Sequence, residues 1–139
     1  MSSQSRLTRA FKEAKKISFD NRSKFILFSD CHRGDASFAD DFASNRNIYF
    51  HAMNYYYAEG FSYCELGDGD ELWETLFFKE IFEAHKNVYL LLKKFHDSDS
   101  LHMIYGNHDM VYRDKNVVKK KLSTYFDPKT GKEEPLFTG

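Results

Sequence analysis

The chain has no cysteine framework. Its two cysteines, Cys31 and Cys64, are too few for the multiple bridges of a small secreted scaffold, and neither has the paired spacing of a zinc site. Both sit in apolar, strand-like surroundings, so free, buried thiols are expected. Long uncharged apolar runs are missing as well. The longest, residues 88–92, falls far short of the roughly 20 residues that a membrane helix needs. No apolar segment follows the first basic residues in the manner of an export signal, so the expected location is cytoplasmic. A formal net charge of −1 supplies no global field toward nucleic acid. Affinity for a phosphate must then come from local groups or bound cations, and nucleic acid stays open as a substrate. Clear internal repeats and low-complexity segments are absent.

What is present suits one globular domain. In 139 residues, 42% are hydrophobic, enough to bury a core. Residues 6–16 place Leu7, Ala10, Phe11 and Ala14 at helical spacing, with Arg6, Arg9, Lys12, Lys15 and Lys16 on the other face. Such a basic amphipathic helix can rest on an anionic membrane surface, although packing against its own domain is the commoner fate. A turn at Asp20-Asn21-Arg22-Ser23 follows.

From Phe25 the pattern becomes a short continuous apolar run, as in strands covered on both faces, and it ends at Asp30. Residues 36–59 carry Phe42, Tyr49, Met53 and Tyr56 near helical spacing and stop at Gly60, which predicts a crossover helix. A second strand over residues 61–66 ends at Gly67-Asp68. A long helical region over residues 76–95 follows, with Asn87 as a candidate break, and a third strand over 101–105 runs into Gly106-Asn107. This alternation predicts an α/β fold of successive parallel βαβ units. Past His108 the order fades, apart from the lysine run at 119–121 and a turn at residues 127–131.

The chemistry-bearing residues cluster where such a fold brings them together. In an open parallel sheet, ligands bind at the carboxyl ends of the strands. Asp30 and His32, Asp68 and Glu71, and Asn107 and His108 all occupy such ends. Converging carboxylates repel unless a cation joins them. The mixture of Asp oxygen, His nitrogen and Asn carbonyl suits manganese, iron or zinc better than the oxygen cages of calcium. Gly67 and Gly106 allow close backbone approach at these turns. Each short motif alone is more often a turn or cap than a ligand set, but three in this order form a strong joint signal. Arg33, directly after the first motif, could contact a phosphate, but a surface ion-pair partner is the commoner reading. His51, His85, His96 and His102 are expected as structural residues.

Asp30-x-His32, Gly67-Asp68-x-x-Glu71 and Gly106-Asn107-His108-Asp109 together resemble the calcineurin-like metallophosphoesterase superfamily, over roughly residues 25–111. The resemblance implies a hydrolase with two divalent ions, Mn, Fe or Zn, and a bridging hydroxide that attacks phosphorus. Asp30 and His32 would bind the first ion, Asp68 would bridge both, and Asn107 would bind the second. His108 would face the phosphate of a phosphorylated substrate, and Glu71, where the family often has Asp, would orient it. Ser29-Asp30-x-His32 with Glu71 resembles the UDP-2,3-diacylglucosamine diphosphatase branch, but that branch commonly has Arg where this chain has His108.

The superfamily completes its site with histidines from a second half of the fold, and no histidine follows His108. The chain is therefore expected to be the parallel βαβαβ half of a four-layer α/β/β/α sandwich, a fragment holding at most one ion weakly. Residues 1–24 would be basic helix and linker, 25–111 the motif-bearing core, and 112–139 the start of the other half, with a first hairpin over 126–139. The open sheet face would favour self-association. The rival expectation is a non-catalytic metal-binding or protein-interaction α/β module.

Overall fold

The structure, a computed structural model, describes residues 2–138. Three strands, β1 (Phe25–Phe28), β2 (Ser62–Leu66) and β3 (Leu101–Ile104), form a parallel sheet in that order. The α/β class and the parallel pairing of successive strands both hold. Strand pairing aligns Leu27 with Cys64 and His102, and Phe28 with Glu65 and Met103. Because side chains alternate across a sheet, Ile26, Phe28, Tyr63 and Leu101 face one layer, where α2 (Arg46–Ala58) and α4 (Lys86–Asp97) pack against each other. Met53, Val88, Tyr89, Leu92 and Phe95 from those helices are buried there. On the opposite face Leu27, Leu66 and Ile104 remain 55%, 48% and 60% exposed, so one side of the sheet is open among the described residues.

Several elements differ from the sequence expectation. The first crossover is helical only from Arg46, because Asp35, Ser37 and Asp40 accept nearby backbone N–H groups and hold residues 36–45 in turns. The second region is two helices, α3 (Phe78–Ala84) and α4, broken at His85 rather than Asn87. His85 leaves helical geometry with φ −125° and ψ 32°, and its Nε2 lies 2.6 Å from Asp40 Oδ2. Beyond Asp109 the chain is ordered: a 3-10 turn at Met110–Arg113 precedes α5 (Lys115–Leu122), capped by Asp114. A hairpin forms as β4 (Thr124–Asp127) and β5 (Lys132–Pro135), turning through Gly131 at φ +67° and spanning 124–135 rather than the expected 126–139. Gly139, the last residue assigned to it, lies outside the described residues. Cys31 and Cys64 are free but half-buried, and Cys31 falls past β1 rather than in a strand. Helix α1 (Ser3–Glu13) buries no residue, so it does not pack its apolar face on the domain.

Arg33 departs most from expectation. It is fully buried rather than on the surface. Its guanidinium forks onto Glu65 of β2 through two 2.7 Å bonds, and its Nε donates to Asp70 Oδ1 at 2.9 Å. Tyr63 donates to Glu65 at 2.7 Å, and the hydroxyls of Tyr89 and Tyr112 donate to Asp70. Burial alone would lower the Arg33 pKa, but Glu65 and the neighbouring groups hold it well above its ordinary value. Gly69 packs so close that a Cβ there would strike Glu65 and Arg33.

Two outcomes follow. Arg33→Ala strands two buried carboxylates without their cation and is expected to cost about 3–5 kcal/mol; denaturant unfolding with a loss under about 1 kcal/mol would show the network idle. The second concerns Asp40 and His85, both buried, with His85 Nδ1 left without a partner among the described residues. Burial lowers the His85 pKa below 6.5 despite Asp40, while for Asp40 the His85 N–H and backbone donors outweigh burial and lower it too. With both folded values depressed, their stabilisation is present above the unfolded values and lost as pH falls. Unfolding midpoints should thus decline below pH 6.5, and His85→Gln, which keeps a donor without titrating, should flatten that decline.

Candidate metal centre

Beyond their carboxyl ends, β1 and β2 stay together. Asp30 N–H donates to Gly67 O (3.1 Å), His32 N–H to Asp68 O (2.9 Å), Arg33 N–H to Gly69 O (2.9 Å) and Glu71 N–H to Arg33 O (2.9 Å). The two loops thus extend the parallel pairing, with Arg33 and Asp70 turned inward and the side chains of Asp30, His32 and Asp68 brought together at the strand ends. That placement needs unusual backbone: Asp30, His32 and Asp68 have φ of 54°, 50° and 52°. Left-handed conformations cost non-glycine residues free energy and collect at functional sites. Asp and His enter this region more readily than most residues, and three of the five non-glycine residues that adopt it among the described residues are candidate ligands, the others being Ala36 and Asp99.

The loop after β3 is tied to the loop after β2. Asp109, buried, accepts Gly106 N–H at 2.6 Å through one oxygen and Gly69 N–H at 3.0 Å through the other. His108 N–H donates to Asp68 Oδ1 at 2.7 Å. Gly106 has no room for a Cβ, which would overlap the Asp68 carboxylate.

Glu71 organises the histidines. Its Oε2 lies 3.0 Å from His32 Nδ1 and 2.5 Å from His108 Nδ1, while Oε1 accepts the N–H groups of Trp73 and Glu74 at 3.0 and 3.4 Å. Burial would raise the Glu71 pKa, but these donors hold it below its ordinary value, so it is a carboxylate at neutral pH. The imidazole rings meet edge to face at 4.4 Å, and the single tryptophan, Trp73, stacks on His108 at 4.1 Å. With Nδ1 engaged by Glu71, His32 presents Nε2, 3.7 Å from Asp30 Oδ1.

Ligand atoms of Asp30, His32 and Asp68 all lie within 4.8 Å of one another, as do those of His32, Glu71 and His108. The first group fits a divalent ion on donor chemistry: two carboxylates, one imidazole nitrogen, and a carboxylate behind that imidazole fixing its tautomer. In the second group Glu71 already accepts from both rings. A cleft of about 180 Å³ opens beside it, lined by His32, Ala39, Asp41, Glu71, Glu74 and His108. Asn107 is exposed on the β3 loop, in a separate cleft of about 170 Å³ with Trp73, Leu76, His108 and Met110. Burial pushes the Cys31 thiol up to about 11, which leaves it a poor ligand at neutral pH.

The structure therefore gathers Asp30, His32, Asp68, Glu71 and His108, and leaves Asn107 at the edge. Sequence reasoning placed Arg33 on the surface and gave no role to Glu65, Asp70, Asp109 or Trp73. One signal was available: Glu65 within an apolar strand demands a buried partner.

Glu71→Gln should weaken manganese binding about 10- to 100-fold by loosening the His32 orientation, measured by titration calorimetry or the free-ion spin-resonance signal. Unchanged affinity would mean that Glu71 does not orient the ligands. Compared with protein-family models, curated proteins and solved structures, the chain matches none, so the functional reading rests on this geometry and on the motifs.

Proposed function

We propose that the chain carries the first half of the metal site of a phosphoester hydrolase of the calcineurin-like metallophosphoesterase kind. The observation that carries the reading is the meeting of Asp30, His32 and Asp68 ligand atoms within 4.8 Å at the carboxyl ends of adjacent parallel strands. Glu71 behind both histidines supports it. The open sheet face at Leu27, Leu66 and Ile104 supports the half-sandwich architecture, in which a second sheet or a second copy covers that face.

In this reading Asp30, His32 and Asp68 would hold one ion, and Asn107 would offer a donor toward a second. Divalent ions there supply Lewis-acid neutralisation of the phosphoryl oxygens and lower the pKa of water. The chain's own residues do the rest. Glu71 fixes His32 so that Nε2 faces Asp30, and the His108 N–H on Asp68 and the Gly69 N–H on Asp109 hold the β3 loop against the β2 loop. His108, anchored through Nδ1 by Glu71 and backed by Trp73, offers Nε2 to the phosphate oxygens or the leaving oxygen. The substrate is a phosphorylated compound, with monoester, diester, pyrophosphate, protein and nucleic acid all compatible.

One observation favours a second reading. The motifs supply few donors to a second ion, and Asn107 lies in the neighbouring cleft, as suits a non-catalytic metal-binding or interaction module. Manganese-loaded protein expressed from the complete gene separates the two. The hydrolase reading expects release of p-nitrophenol from p-nitrophenyl or bis-p-nitrophenyl phosphate, and a loss on the order of a hundredfold in Asp68→Asn. No release, or a rate unchanged in Asp68→Asn, would sink it and leave the binding module.

A further inference from the structure

Helix α1 is amphipathic yet buries none of its face among the described residues. At about 100° per residue, Leu7, Ala10 and Phe11 share one face, while Arg6, Arg9 and Lys12 take the opposite one. Leu7 and Phe11 are 72% and 77% exposed, and no residue of the helix is buried. Past the helix Ile17 and Phe19 are exposed too, next to Lys15 and Lys16.

A helix of 11 residues is marginal alone in water, and helices owe most of their stability to packing an apolar face. Ser2 caps α1 by accepting Ser5 N–H at 3.2 Å. A capped helix with a segregated apolar stripe and nothing buried has a face suited to something outside this fold. Charge narrows the choice. Residues 1–19 hold five of the 20 Lys and Arg but one of the 21 Asp and Glu, Glu13, so positive charge is concentrated where the apolar stripe is bare.

We propose that α1 and the segment through Phe19 form an interfacial element that docks on a membrane surface bearing anionic phospholipid. Such a surface meets both halves of the pattern. The boundary of the acyl region takes Leu7, Ala10, Phe11 and Phe19, and the headgroup phosphates take Arg9, Lys12, Lys15 and Lys16. A nucleic acid would pair with the cations but leave the apolar stripe in water. The open sheet face would take the stripe, but its residues Phe25, Leu27, Ser62, Cys64, Leu66, His102 and Ile104 include no carboxylate for the flanking cations.

The test is co-sedimentation of the whole chain with vesicles of phosphatidylcholine alone or mixed with phosphatidylglycerol, with circular dichroism and duplex DNA binding in parallel. Binding is expected to rise at least about tenfold with the anionic lipid, to weaken with salt, and to bring a gain in helicity. The double variant Leu7→Ser/Phe11→Ser and the double variant Arg9→Gln/Lys12→Gln should each lose about tenfold, with thermal unfolding unchanged because α1 buries nothing. Equal binding to both vesicle types would overturn the proposal, as would anionic binding that survives Leu7→Ser/Phe11→Ser. So would duplex DNA binding without vesicle binding, or a loss of thermal stability or change in oligomeric state in the apolar variant. None of these outcomes bears on the metal site, so this inference and the hydrolase reading fail separately.

Discussion

The buried guanidinium of Arg33 holds three parts of the molecule in one place. It leaves the loop after β1, forks onto Glu65 in the middle of the sheet, and reaches Asp70 in the loop after β2. Tyr89 of α4 and Tyr112 of the 3-10 turn complete the shell around Asp70. An ion pair removed from water gains little net stability over an apolar cluster of the same volume, because desolvation offsets the Coulomb attraction. What this one contributes is position. Its hydrogen-bond geometry is satisfied only when the β1 and β2 loops lie side by side, and that alignment carries Asp30, His32 and Asp68 into one corner.

The same constraint explains the backbone. Paired loops that continue beyond a sheet would ordinarily send side chains alternately up and down. Left-handed turns at Asp30, His32 and Asp68 interrupt that alternation and aim the three residues together. Interactions elsewhere must offset this strain: Asp109 closes the β3 loop on Gly106 and ties it to Gly69, and Arg33 fixes the other two. Glu71 then connects the scaffold to the histidines, since its one carboxylate meets two backbone N–H groups and two imidazoles. The site's polar side is preorganised, while the open sheet face and α1 present apolar surface still without a partner in the fold.

The sheet was legible from the chain because its signals are local. Apolar runs ending at Asp30, Gly67 and Gly106 mark strands whose bounds the structure moves by a residue, and the strand-end rule placed Asp30, His32, Asp68 and His108 near one another. Glu71 was assigned the orientation of His108, and it contacts both histidines. What escaped depends on distant partners. Asp40 and His85 are 45 residues apart, and their contact ends α3 while the Asp40 carboxylate keeps residues 36–45 out of a helix. Arg33 and Glu65 are 32 apart, and nothing in the neighbourhood of Arg33 announces burial. Helix α5 went unread because Lys119, Lys120 and Lys121 obscure a short apolar pattern at Val118 and Leu122.

All of this turns on whether the corner at Asp30, His32 and Asp68 is a cation site ordered by Glu71. Anomalous diffraction from crystals soaked in manganese tests that most directly. The expected map has a peak bonded to His32 Nε2 and to the carboxylates of Asp30 and Asp68, with His32 Nδ1 still on Glu71. A peak elsewhere, or one bound through Nδ1 with the Glu71 contact broken, would contradict the account.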